Sequence, residues 1–138
     1  MKTQIHSIPG KMDTYWVSDV NAILDVWTTY AVSLQDFSDA VLVKGVKHAK
    51  ANKGIAWIVD SSTAKGAFSP EIQQFIGTDI FPAFTKNGIK YFITILPKES
   101  ALTRMTVKNY SSKAGPNGLE LVEVNSVEDA IEFLKGKK

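Results

Sequence analysis

The chain has 138 residues, of which 44% are hydrophobic, and this is the size and composition of one domain with a single core. Cysteine is absent, which excludes disulfides, thiolate metal sites and a catalytic cysteine. The formal net charge is +2, but Arg104 is the only arginine. The arginine-bearing basic face that is typical of nucleic-acid binding is therefore not predicted.

The beginning of the chain carries no sign of targeting. Residues 1–12 lack the apolar stretch of a secretory signal, and no apolar run approaches the roughly 18 residues that a membrane span needs. We therefore predict a cytoplasmic protein without a transmembrane segment, with an N-terminal leader over residues 1–12 and one domain over residues 13–138.

The first predicted elements are a β-hairpin and a helix. Residues 13–18 and 22–29 are rich in β-branched and aromatic side chains, and the Asp-Val-Asn segment between them supplies turn chemistry. Ser33, followed three residues later by an aspartate, predicts the start of a helix that ends at Asn52-Lys53-Gly54. Gly45 lies inside this helix, where glycine costs about 1 kcal/mol relative to alanine.

A buried strand and a second helix follow. The continuous apolar run GIAWIVD, residues 54–60, is typical of a strand that is covered on both faces, and it predicts the centre of the sheet. Ser69 and Pro70 form a strong helix start, because the missing N–H of proline would be unpaired there in any case. Pro82 lies within this helix and predicts a kink, and Asn87 with the glycine after it predicts its end.

The last third of the chain repeats this alternation. Residues 89–96 form a second buried run, and a less regular helix is predicted over residues 99–112. The turn GPNG, residues 115–118, precedes the alternating strand LELVEV, residues 119–124. Ser126 then caps a closing helix with an apolar stripe.

The predicted fold class is α/β, with the element order ββαβαβαβα. Strands that alternate with helices imply crossover connections and a mainly parallel sheet, to which the N-terminal hairpin adds antiparallel pairing. The sheet is therefore mixed.

Polar side chains follow the predicted central strands. Ligands of open α/β sheets usually meet the carboxyl ends of the parallel strands, which makes this rim the default binding site. The rim residues, with the helix start that follows them, are Asp60, Ser61, Ser62, Thr63, Lys65, Ser69, Lys98 and Glu99. Serine and aspartate are also ordinary strand-end and cap residues, so purely structural roles are the alternative.

No catalytic motif is found. Neither glycine-rich phosphate-binding pattern occurs, and the two histidines, His6 and His48, are not near a predicted strand end where they could activate a serine. We predict that the protein is not an enzyme and holds no cofactor and no metal.

The chain as a whole resembles a known family. The resemblance rests on the strand end IVDSS, the helix FSPEIQQFIGTDIFPAF, the strand GIKYFITILPK and the closing helix SVEDAIEFLK, in this order. Over residues 13–135 the pattern is similar to the SpoIIAA-like family of STAS domains, in particular to small bacterial proteins of the STAS/SEC14-like type. This resemblance implies a single-domain SpoIIAA-like fold without a catalytic constellation.

The resemblance also implies a function. In anti-anti-sigma members of this family, an Asp-Ser-Ser-Gly element ends a central strand, and a partner kinase phosphorylates its second serine. Asp60, Ser61 and Ser62 match that element, which makes Ser62 the phospho-acceptor, whereas Thr63 stands in place of the glycine. The implied function is a regulatory module that binds a protein partner, such as a kinase or an anti-sigma-like protein, through the rim from Asp60 to Lys65.

The alternative function is a carrier or sensor of a small apolar or lipid-like ligand. Lipid-transfer proteins are grouped with the resembled fold, and the ligand would lie between the sheet and the helix kinked at Pro82. The aromatic side chains that could line such a pocket are Trp57, Phe75, Phe81 and Phe84. Large aromatic side chains also fill the cores of small domains, so core packing is the other interpretation.

Overall fold

Six strands lie side by side in the order in which the chain makes them. In the computed structural model, which describes residues 2–137, they form one sheet. The strands are β1 (Lys2–Ile8), β2 (Met12–Val17), β3 (Ala22–Trp27), β4 (Ala56–Asp60), β5 (Tyr91–Ile95) and β6 (Glu120–Val124). Pairing is antiparallel from β1 to β3 and parallel from β3 to β6. The α/β class, the hairpin and the central position of β4 are confirmed.

The sequence interpretation of the first twelve residues is corrected by the structure. Lys2–Ile8, predicted to belong to a leader, is the edge strand β1 and pairs with β2 along its length. The observed order therefore begins with three strands. Met1 of the predicted leader and Lys138 of the predicted domain lie outside the described residues.

Four helical units cover the two faces of the sheet. We name them α1 (residues 34–51), α2 (residues 70–86), α3 (Ala101–Ser111) and α4 (Val127–Leu134). Buried side chains of α1, α2 and α3 share one core on one face, and α4 packs on the other face. The connections β3–α1–β4, β4–α2–β5 and β5–α3–β6 progress across the sheet in one direction, and crossovers of the same hand then place their helices on the same face. Of the helices described, none is long and apolar enough to cross a membrane.

Both long helices widen in the middle. In α1 the α-helical segments Leu34–Phe37 and Val46–Ala51 flank π-helical turns over Ser38–Gly45, and in α2 Pro70–Phe75 and Phe81–Lys86 flank Ile76–Ile80. Pro82 lacks an N–H, and its ring would clash with the carbonyl four residues earlier in a regular α-helix. The π-helical segment Ile76–Ile80 ends two residues before Pro82, and the kink predicted at Pro82 stays a prediction.

Serine caps begin all four helices. Each serine Oγ accepts a hydrogen bond from the backbone N–H three residues later, which satisfies one of the unpaired donors of the first turn. The caps are Ser33, Ser69, Ser100 and Ser126. The helix starts predicted at Ser33, Ser69 and Ser126 are confirmed.

Candidate functional site at the carboxyl end of the sheet

The loop after β4 is fixed on both sides by backbone hydrogen bonds. The N–H of Ser61 donates to the carbonyl of Ile95 at 3.0 Å and extends the pairing of β4 with β5. The N–H of Lys65 donates to the carbonyl of Thr28 at 3.2 Å, and the N–H of Tyr30 donates back to the carbonyl of Lys65 at 2.9 Å. Residues 61–65 are therefore held between the continuations of the two strands that neighbour β4.

Asp60 closes a turn that separates the side chains of Ser61 and Ser62. The Oδ1 of Asp60 accepts a hydrogen bond from the backbone N–H of Ser62 at 3.0 Å, which closes a local turn. This turn leaves the side chain of Ser62 exposed and buries that of Ser61 completely. The two adjacent hydroxyls thus face opposite environments.

Two loops enclose a groove beside Ser62. The groove has a volume of about 380 Å³, and its walls come from the loops after β4 and β5. The lining residues are Ser62, Thr63, Ala64, Lys65, Pro97, Glu99 and Ser100. The structure therefore brings together four of the residues predicted for the rim: Ser62, Thr63, Lys65 and Glu99.

The other predicted rim residues lie elsewhere. Asp60 supports the groove through its turn, Ser69 serves as the cap of α2, and Lys98 lines a neighbouring groove of about 430 Å³. Ser61 is a correction, because its buried hydroxyl is not available to a partner at the surface.

The only arginine of the chain has a structural role at this rim. Arg104 on α3 donates from its guanidinium to the backbone carbonyl of Pro97 at 2.9 Å and to that of Lys98 at 3.4 Å. The Oγ1 of Thr103, next to it, donates to the carbonyl of Gly66. Helix α3 thereby holds the loops on both sides of the groove.

A buried network of hydroxyls lies beneath the groove. The hydroxyl of Tyr30 shares hydrogen bonds with those of Ser61 and Tyr110, the latter at 3.1 Å. Burial raises the pKa of both tyrosines far above the ordinary value, so both remain neutral hydrogen-bonding groups. The ring of Tyr30 stacks on Phe68 at a centroid distance of 3.9 Å. This network connects the loop after β4 to the aromatic core.

The two serines are expected to respond differently to removal of the hydroxyl. Ser61→Ala removes a buried hydrogen bond of Tyr30 and should lower the free energy of unfolding by about 1 to 2 kcal/mol. Ser62→Ala serves as the matched control, because it removes an exposed hydroxyl and should change stability by less than about 0.5 kcal/mol. Urea unfolding of both variants measures the difference, and equal effects would contradict the placement of the two side chains.

The predicted apolar pocket is largely filled. Trp57, Phe81 and Phe84 are buried and line a cavity of about 20 Å³ between the sheet and the two π-helical segments. Phe75 lies outside that lining and packs edge-on against Phe37. A cavity of this size accommodates about one water molecule, whereas ligand pockets are typically about 300 Å³ or more. A carrier function would thus require α2 to move away from the sheet.

A carboxylate that the sequence analysis did not select lies in the wall of this cavity. Asp25, in the middle of β3, is 2% exposed and accepts hydrogen bonds from Thr14 Oγ1 at 2.7 Å and Trp57 Nε1 at 2.8 Å. Burial raises the pKa of Asp25 from 3.8 to about 6, although both hydrogen bonds act in the opposite direction. The one signal in the sequence is an acid within the apolar run AILDVW.

Neither metal-binding residues nor similarity to known proteins identifies a function for this site. Within residues 2–137, no group of three or more histidine, cysteine, aspartate or glutamate side chains is placed to hold a metal ion. No family model, no curated protein and no solved structure matches the chain. The resemblance to STAS domains therefore remains a prediction.

Proposed function

We propose that the protein is a cytoplasmic, non-catalytic regulatory module with a SpoIIAA-like fold that binds a protein partner through the groove beside Ser62. The observation that carries the proposal is the convergence of Ser62, Thr63, Lys65 and Glu99 on two anchored loops. Binding residues are often found on loops that a rigid scaffold positions, as the loops after β4 and β5 are positioned here. Opposite charges on the two walls favour a polar peptide or loop as the occupant.

Phosphorylation of Ser62 is the proposed regulatory step. The exposed hydroxyl of Ser62 is accessible to a kinase, and a phosphate would add about −1.5 to −2 charges at pH 7. Asp60 and Glu99 already contribute negative charge beside this position, so the modified groove would repel an acidic partner surface and lose its polar contacts. The buried hydroxyl of Ser61 is protected from the same reaction.

The test is site-specific photo-crosslinking in cells that naturally produce the protein. A photoreactive amino acid at Thr63, in the groove, should give an adduct with a partner of one defined mass. The same amino acid at Lys86, exposed at the far end of α2, is the matched control and should give at least about tenfold less adduct.

The regulatory step is tested on the same material. Ser62→Asp should reduce the adduct at Thr63, whereas Ser62→Ala should preserve it, and phosphopeptide mapping should find phosphate on Ser62 and none on Ser61. Equal adduct yields at Thr63 and Lys86 would contradict the binding proposal. An adduct that is indifferent to Ser62→Asp would contradict the switch and leave the binding surface intact.

A further inference from the structure

A second open pocket lies between β1 and α1 and involves none of the groove residues. Its volume is about 310 Å³, and it is lined by Ile5, His6, Lys44, Lys47, His48 and Ala51. Four of these six side chains are basic or can become cationic, and none is acidic. The chain thus collects both of its histidines and two of its lysines at one concave place.

A β-bulge places His6 in this pocket. Gln4 pairs with Tyr15 on β2, and His6 pairs with Thr14, so that Ile5 is an extra residue opposite a single step of the partner strand. Successive side chains of a regular strand point to opposite faces, so without the extra residue His6 would point away from α1. The bulge instead directs both Ile5 and His6 toward the helix.

Helix α1 supplies the other cationic groups from one face. Lys44, Lys47 and His48 are spaced by three and four residues, which makes them neighbours on a helix surface. Among residues 2–137, neither Lys44 nor Lys47 forms an ion pair. Like charges at this spacing destabilise a helix slightly.

The imidazoles are the second unusual feature of the pocket. The Nε2 atoms of His6 and His48 are buried, and neither has a hydrogen-bond partner among the described residues. Burial is the largest cause that lowers the pKa of His6, and the positive charge of Lys44 is the next. A hydrogen bond with the backbone of Ala40 raises the pKa, and His48 lowers it slightly. Protonation of His6 at Nε2 would create an N–H donor for which the described residues supply no acceptor.

We propose that His6, Lys44, Lys47 and His48 form a binding site for a small phosphate-type oxyanion. Two lysine ammonium groups can neutralise a dianion as point charges, and a protonated imidazole adds a charge-assisted hydrogen bond. The volume of the pocket accommodates a phosphate group with part of the molecule that carries it. Bulges and π-helical segments are frequent at functional sites, and β1 and α1 each place one of these irregularities beside this pocket.

The site makes binding and protonation depend on each other. An anion that interacts with the pocket favours the cationic form of His6, so anion binding is accompanied by proton uptake on His6. The other ionisable groups that line the pocket with His6 are Lys44, Lys47 and His48, all from α1, and none is acidic. The rise in the pKa of His6 on binding is therefore the signature of the site.

The test is a titration of the whole chain with inorganic phosphate, in which nuclear magnetic resonance records the imidazole signals of the histidines. Sodium chloride keeps the ionic strength constant. Saturable shifts of His6 and His48 are expected, together with a rise of about one unit in the pKa of His6, which is a tenfold gain in proton affinity. Lys44→Gln with Lys47→Gln should abolish the saturation. Lys50→Gln, exposed on the same helix and outside the pocket, is the matched control and should preserve it.

A second probe identifies the source of the anion. Co-sedimentation with phosphatidylcholine vesicles, with and without phosphatidic acid, separates a lipid headgroup from a soluble phosphate. Vesicle binding that requires phosphatidic acid and is lost in the double lysine variant assigns a headgroup, and a response to inorganic phosphate alone assigns a soluble ligand. The proposal is overturned if neither probe gives a response that depends on Lys44 and Lys47, or if Lys50→Gln loses as much binding as the double variant.

Discussion

Asp25→Asn is expected to stabilise the protein by about 3 kcal/mol at pH 8 and to leave its stability nearly unchanged at pH 4. Burial raises the pKa of Asp25 by about two units, from 3.8 to about 6, and each unit corresponds to 1.36 kcal/mol. Because the pKa of Asp25 is raised in the folded protein, the fold favours the neutral carboxyl group, and ionisation of Asp25 destabilises the fold. This contribution is fully present below about pH 3.8 and is lost as the pH rises through about 6.

An asparagine can satisfy the same hydrogen bonds without a charge. Its carbonyl can accept from Trp57 Nε1, and its amide can donate to the hydroxyl of Thr14, which already lies 2.9 Å from Met12 Sδ. Urea unfolding of both proteins at several pH values measures the difference. Asp39→Asn, which removes an exposed carboxylate from α1, is the control for the loss of one charge. A variant with the same pH dependence as the natural protein would contradict this account.

Gly45→Ala is expected to destabilise the protein by about 1 to 2 kcal/mol, the upper half of the net range that overpacking and helix propensity together allow, although alanine is the better helix former. The Cβ of an alanine would lie 2.7 and 2.9 Å from two ring atoms of Trp57. That ring cannot move easily, because its Nε1 donates a hydrogen bond to Asp25 and its face stacks on the ring of Phe84 at a centroid distance of 4.1 Å. Overpacking costs about 1 to 3 kcal/mol, and the gain in helix propensity offsets about 1 kcal/mol.

Gly77→Ala, in the π-helical segment of α2, is the matched control. Its Cβ would lie 2.6 Å from Cδ of Lys113, a flexible side chain that can shift at the cost of the hydrogen bond from its Nζ to the carbonyl of Gln73 at 3.2 Å, and the gain in helix propensity offsets that cost. The expected change is therefore within about 0.5 kcal/mol, the range for substitutions away from rigid contacts. Thermal or urea unfolding compares the two variants, and a stable Gly45→Ala protein would show that Trp57 is not fixed as described.

The sequence predicted the sheet and the rim where local patterns carry the information. The run from Gly54 to Val59 is apolar throughout, which is typical of a strand covered on both faces. The serine caps identified the starts of α1, α2 and α4 because their side chains act on the backbone three residues away. Ser62 and Glu99 met at one groove because the carboxyl ends of parallel strands share one edge of the sheet.

The features that escaped prediction depend on tertiary contacts or on broken periodicity. In β1, the bulge at Ile5 disturbs the alternation of apolar and polar residues, so Lys2–Ile8 did not resemble a strand. The burial of Asp25 depends on partners from β2 and β4, which no local pattern reports. Glycine at position 45 has a low helix propensity. The sequence alone does not show that the ring of Trp57 lies against this position and leaves no room for a Cβ.

The strand order has a consequence for how this chain reaches its native state. Every strand pairs only with its neighbours in sequence, so each new strand adds to an edge that is already complete. Loop closure therefore involves the shortest separations that a sheet with helical crossovers permits, and such topologies fold faster than those with distant pairings. During synthesis, β1 to β3 can assemble first, and each following helix and strand can then join the growing edge as it leaves the ribosome.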